Sequence, residues 1–147
     1  MTHEQQRSAV AAEALSWLGT GYHHHGRIKG VGVDCLMLLA EVYERAGVVP
    51  HIDPGEYPTD WHLHRSEELY LAGLERHTRE VQTPALGDIC MFRFGRCYSH
   101  GGIVVQAGSD PTVAHAYINR GVILSRLSED PLNARAMRAF TPWSPAA

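Results

Sequence analysis

Beyond Pro84 the hydrophobic periodicity of this chain changes, and that change limits the fold more than any single motif does. Before it, apolar residues recur at helical spacing. Val10, Ala11, Ala14, Leu15, Trp17 and Leu18 mark an amphipathic helix from about Glu4 to Leu18, stopped by Gly19. A second helix is predicted from Cys35 to about Ala46, with Asp34 as its N-cap and Gly47 as its C-cap. A third is predicted from Ser66 to about His77, with Leu69, Leu71 and Leu74 on its buried face. After Pro84, Ile89–Phe94, Gly101–Gln106, Thr112–Ile118, Val122–Leu127 and Ala136–Phe140 read as short strands, with turns at Gly108-Ser109, Asn119-Arg120-Gly121 and Asp130-Pro131. Helices first and an antiparallel meander second is an α+β layout. The expected architecture is N-terminal helices packed on an antiparallel sheet of about five strands, with a helical insertion at about 51–81 that could wall or cover a site.

At 147 residues the chain is one domain's worth, and 1–147 is read as a single domain. A net charge of -3 with His neutral, and Lys29 as the only lysine, argue against nucleic acid or an anionic membrane surface as a partner. Cys35, Cys90 and Cys97 are odd in number and irregular in spacing, which argues for a free thiol made in a reducing compartment. No apolar core of signal-peptide length follows Met1, and no apolar run approaches a membrane span. Synthesis in the cytoplasm without a signal peptide, and no membrane insertion, are the expectation.

The stretch from Gly30 to Cys35 runs from a glycine-broken loop into the second helix. A thiol in that first turn sits among unpaired N–H groups at the positive end of the helix dipole, which favours the thiolate and lowers the pKa. The plainer reading is core, because Cys35, Leu38, Leu39, Val42 and Ala46 share a helical face. A cysteine nucleophile also needs an imidazole to relay the proton and a polar group to fix that ring's tautomer. His100 opens one predicted strand and His115 lies within the next. A two-residue turn at Gly108-Ser109 would pair Ala107 with Asp110 and set His115 opposite Gly102. The two histidines are then diagonal neighbours on one face, roughly 7 to 8 Å apart at Cα and bridgeable by their rings. Gly101 and Gly102 leave space there for the helix carrying Cys35. Taken singly, each histidine reads as an ordinary strand residue. The run His23-His24-His25 suggests metal, but adjacent side chains in a loop diverge and zinc ligands come in separated pairs, so no metal is assigned.

Several segments together carry a resemblance: Leu18-Gly19-Thr20-Gly21-Tyr22, Asp34-Cys35, Leu86-Gly87-Asp88-Ile89, Ser99-His100-Gly101-Gly102-Ile103, Ala114-His115-Ala116 and Gly121-Val122. In order and spacing, over about residues 9 to 127, they resemble the NlpC family of cell-wall cysteine peptidases. The resemblance implies a circularly permuted papain-like core and a Cys-His-His triad without a cofactor. It implies hydrolysis of peptidoglycan stem peptides, commonly at the γ-D-glutamyl to diaminoacid bond. By motif, Cys35 would be the nucleophile, His100 the base and His115 its orienter, with Tyr22, Asp34 and Ser99 on the substrate side. The helical insertion resembles peptidases of bacteriophage tails and gene-transfer agents, which implies tail or particle proteins as partners and action at the cell wall. Leu36-Met37 depart from the family, which usually has Ser-Gly there, and Gly21 stands where a proline is common. Rival readings are a structural tail-tip subunit with the same fold and little turnover, acyl transfer or deamidation by the same triad, and a zinc protein built on the histidine-rich loop.

Overall fold

The computed structural model describes residues 1–51, 76–95 and 97–144, so the predicted third helix and most of the insertion lie outside the described residues. In chain order the elements are α1 (His3–Leu15), β1 (Arg27–Ile28), β2 (Gly32–Val33), α2 (Cys35–Arg45), β3 (Arg79–Val81), β4 (Ile89–Phe94), β5 (Cys97–Gln106), β6 (Thr112–Tyr117), β7 (Gly121–Arg126) and β8 (Met137–Thr141). Six strands form one antiparallel sheet in the order β3-β8-β4-β5-β6-β7.

The two helices begin where local chemistry starts them. Thr2 and Gln5 close a capping box on α1, with Gln5 N donating to Thr2 Oγ1 at 3.1 Å and Thr2 N donating to Gln5 Oε1 at 2.9 Å. The helix stops at Leu15, three residues earlier than predicted, because Ser16 to Leu18 turn to bury Trp17, whose indole N–H reaches Glu13 at 2.9 Å. Between the helices, the segment read as irregular loop contains the small β1–β2 hairpin.

The sheet differs from a simple five-stranded meander in two ways. Strands β4 to β7 do follow one another, but β8 returns to the far side of β4, and β3 adds a sixth strand beside β8. The helical insertion predicted for about 51–81 therefore ends in strand: Arg76 and His77 lie in a turn and Arg79-Glu80-Val81 pairs with Thr141-Phe140-Ala139. Three residues, two of them charged, are too few to show alternation. Their tertiary partner is Arg138, whose guanidinium meets Glu80 at 2.7 and 3.0 Å.

The β5–β6 connection also departs from expectation while preserving its consequence. Gln106 pairs with Thr112, leaving a five-residue loop from Ala107 to Pro111 instead of a two-residue turn. Pro111 has no N–H to give a ladder. A bulge at Val105 absorbs the odd residue, and Val104↔Val113 and Ile103↔Ala114 restore the register that sets His115 opposite Gly102.

Both faces of the sheet are covered. Val10, Ala14, Trp17, Leu38 and Val42 of the helical segment pack on Met91, Ile103, Ala114 and Phe140. On the other face Leu132 closes over Cys90, Phe92, Val104 and Val113. Arg7 ties α1 to the sheet: its guanidinium donates to Asp88 at 2.8 Å and to the Leu86 carbonyl at 2.7 Å, and it lies over the Trp143 ring. Among the described residues no helix is long and apolar enough to cross a membrane.

Candidate functional site

Asp34 organises the start of α2. One carboxylate oxygen accepts the Met37 amide and the other the His25 amide, each at 2.9 Å, so a single buried side chain caps the helix and pins the histidine-rich loop to it. Tyr22 is brought alongside by a parallel bridge to Val33, with His23 N to Val33 O at 3.1 Å and Val33 N to Gly21 O at 3.0 Å. Burial raises its phenol pKa, and the neighbouring Cys35 and Asp34 charges raise it further.

Cys35 follows directly, on the helical side of the sheet and 6% exposed. Its Sγ donates to the Ser99 carbonyl at 3.6 Å, and the Gly101 amide acts on the same sulfur. These backbone groups flank His100, so the sulfur rests against β5 at that residue. The β5–β6 ladder runs from Ile103 to Gln106, so this contact lies before the strand pairs with β6. The lowered thiol pKa expected from the helix dipole is not what results. Burial, then the Asp34 carboxylate, push Cys35 up to about 12, while the amides of Gly101, Leu36 and Cys35 itself pull the other way and lose. A partial charge of about half a unit at a helix end returns less than the removal of water costs.

The imidazoles stand on the other face, the one that carries Val104, where His100 pairs with Phe92. His100 Nε2 lies 2.7 Å from His115 Nδ1, with the rings nearly perpendicular at 81°. His115 Nε2 in turn lies 2.9 Å from Ser125 Oγ. Phe94 and Tyr117 flank the His100 ring at centroid distances of 5.1 and 5.7 Å. Burial is the largest cause holding both rings neutral: His100 falls well below 6.5, with His115 and Arg135 adding to the effect, and His115 falls to about 4, with Arg120 adding. Gly102 faces this side too. A Cβ there would meet Val113 Cβ and the Ala114 carbonyl at 3.2 Å, so its small size serves the β5–β6 contact, not the approach of α2.

The structure thus brings the Cys35 sulfur to the β5 backbone on either side of His100, joins the His100 ring to His115 on the opposite face, and sets Tyr22 and Asp34 beside the thiol. Ser99 contributes its carbonyl, while its hydroxyl is buried without a hydrogen-bond partner among the described residues. Sequence reasoning missed Ser125. The signal was the Asn119-Arg120-Gly121 turn, which pairs Tyr117 with Gly121 and His115 with Ile123, leaving Ser125 on the next diagonal of the same face.

In the histidine run, His23 Nδ1 meets the His24 carbonyl at 2.9 Å and His24 lies edge-on to His25. Among the described residues, the side chains that gather at metal-ligand spacing are Glu41, Glu44 and His51. Arg27 already stands 2.6 Å from Glu41 and 3.9 Å from Glu44.

No protein-family model and no curated protein matches the chain. Solved structures do. The NlpC/p60 domain of the peptidoglycan hydrolase SagA aligns with a TM-score of 0.57 and 20% identity, over 90% of this chain and 96% of that one. The fold is that of an NlpC/p60 domain. A lipoprotein-like member of the NLP/P60 family from Staphylococcus aureus subsp. aureus Mu50 aligns with a TM-score of 0.61 and 21% identity, over 93% of this chain and 42% of that one. In this NlpC/p60 fold, α2 with Cys35 at its tip packs against the sheet that carries both imidazoles.

Proposed function

We propose that this chain is a cysteine peptidase that hydrolyses peptidoglycan stem peptides, with Cys35 as nucleophile, His100 as general base and His115 as the group that orients it. One observation carries the reading: a sulfur held by the backbone on either side of a histidine whose ring is itself hydrogen-bonded to a second buried histidine. The shared fold with a named peptidoglycan hydrolase supports it.

The resting charges shape the mechanism. With a neutral thiol and neutral rings, no thiolate–imidazolium pair waits for substrate. Nε2 of His100 is engaged by His115, which leaves Nδ1 as the ring nitrogen that can take a proton. Proton transfer from Sγ to Nδ1 accompanies attack of the sulfur on the peptide carbonyl. The Cys35 amide, at the helix start, donates to the developing oxyanion. His100 then passes the proton to the leaving amine as the C–N bond breaks, and water hydrolyses the thioester.

The finer reading is cleavage between γ-D-glutamate and the diaminoacid, with Tyr22, Asp34 and Ser99 on the substrate side, in a protein carried by a phage tail or gene-transfer-agent particle among tail proteins. Its support is the order and spacing of the motifs and the insertion between α2 and β4. The test is digestion of purified sacculi followed by mass spectrometry of the muropeptides. The wild-type chain should release fragments cut in the stem and Cys35→Ala should release none. Intact sacculi after treatment with folded wild-type protein would overturn the reading in favour of a structural subunit.

A further inference from the structure

We propose that Ser125 is a positioning residue of this site: it holds His115 as the Nε2–H tautomer and thereby leaves Nδ1 of His100 free to serve as the base. The inference rests on the reading of His100 as the base.

Three residues lie on one diagonal across three adjacent strands. His115 of β6 stands opposite Ile123 of β7, and Ser125 is two residues further along β7 on the same face. His100 is two residues before Gly102, the residue that the register sets opposite His115 on β5. The result is a chain of two contacts, His100 Nε2 to His115 Nδ1 at 2.7 Å and His115 Nε2 to Ser125 Oγ at 2.9 Å. Every member is buried: His100 is 7% exposed, His115 fully buried and Ser125 5% exposed. Water does not compete for these atoms, so each ring proton must be placed within the chain itself.

Two placements satisfy both contacts. In one, the hydroxyl accepts from Nε2–H of His115, whose bare Nδ1 accepts from Nε2–H of His100, and His100 keeps a bare Nδ1. In the other, the hydroxyl donates to Nε2 of His115, every proton shifts one position, and His100 carries its proton on Nδ1, where it cannot take one from a thiol. A hydroxyl can take either part, so the part Ser125 takes goes with the tautomer of both rings. A base at His100 requires the first, with Ser125 as acceptor. Nothing is consumed or released: one proton on each ring is retained and only its nitrogen is chosen.

The experiment reads the tautomers directly, by imidazole 15N chemical shifts in multiple-bond 1H–15N NMR spectra of the full chain, beside kcat and KM on muropeptides. In the wild type, His115 and His100 should both be protonated at Nε2. Ser125→Ala should spread His115 over both tautomers and lower kcat about three- to tenfold with KM unchanged, the loss expected for one neutral hydrogen bond. Ser125→Thr keeps the hydroxyl and should restore both readouts. Protonation of wild-type His115 at Nδ1, or unchanged tautomers and kcat in Ser125→Ala, would overturn the proposal; the wild-type spectrum decides even if the alanine variant does not fold. The two readings separate cleanly. Correct tautomers that respond to Ser125→Ala in a chain that does not hydrolyse sacculi leave the positioning intact and remove the peptidase, whereas hydrolysis with unresponsive tautomers does the reverse.

Discussion

Acidification from pH 7 to pH 4 is expected to cost this fold about 3 kcal/mol through His115 alone. Burial, helped by Arg120, pushes that ring to about 4 in the folded chain, against 6.5 for an ordinary histidine. A ring held neutral by burial favours the folded state at every pH above its unfolded value. Below about 6.5 the unfolded chain takes up a proton that the folded one refuses, and stability falls by about 1.4 kcal/mol per pH unit until about 4, where both states carry it. Such a loss is large beside the roughly 5 to 15 kcal/mol that holds a domain together. His100 acts in the same direction, since burial and His115 hold it well below 6.5. The assay is urea unfolding, followed by circular dichroism at pH 7, 6, 5 and 4, on the wild type and on His115→Asn, whose amide still offers His100 an acceptor but does not titrate. Contributions from the carboxylates are shared and cancel in the difference. The wild type should lose at least about 2 to 3 kcal/mol more than the variant across this range. Parallel curves would refute the claim that His115 is held neutral by the fold.

Three further outcomes follow from named contacts. Because the Cys35 thiol lies at about 12, iodoacetamide at pH 7 should modify Cys35 at least about 100-fold more slowly than a free cysteine, as read by peptide mass spectrometry; rapid labelling at pH 6 would mean a resting thiolate. Arg7→Met should destabilise the chain by about 2 to 4 kcal/mol in urea, since Asp88 is only 2% exposed and loses its charged partner; a loss under about 1 kcal/mol would show that Asp88 is satisfied by the Ala85 amide alone. Asp34→Ala removes the α2 cap and the His25 anchor together, with an expected cost of about 1 to 2 kcal/mol and a fall in turnover, measured by thermal unfolding and muropeptide release.

What was legible in the sequence was what local chemistry decides. Asp34 announces the start of α2, and the alternation after Pro84 shows the strands. The diagonal pairing of His100 and His115 follows from a two-residue turn that the chain does not form, yet the register is the same, because the Val105 bulge cancels the odd residue of the longer loop. The pairing of β8 with β4 and β3 was not legible, since it joins segments far apart in the chain and β3 is only three residues long. The ionisation of Cys35 is not legible for a similar reason. A helix dipole can be read from a cap, but the burial that outweighs it comes from the packing of α2 against the sheet, where the thiol meets the Ser99 carbonyl. Ser125 needed the register carried across one more strand.

The central claim is that Cys35 forms a covalent bond to substrate with help from the His100 ring. Brief incubation of the full chain with muropeptides, an acid quench and mass mapping would test it most directly. A thioester adduct on the Cys35 peptide, abolished in Cys35→Ala and strongly reduced in His100→Ala, is the expected result. Undiminished hydrolysis by Cys35→Ala, or an adduct that forms as readily without the His100 ring, would contradict it.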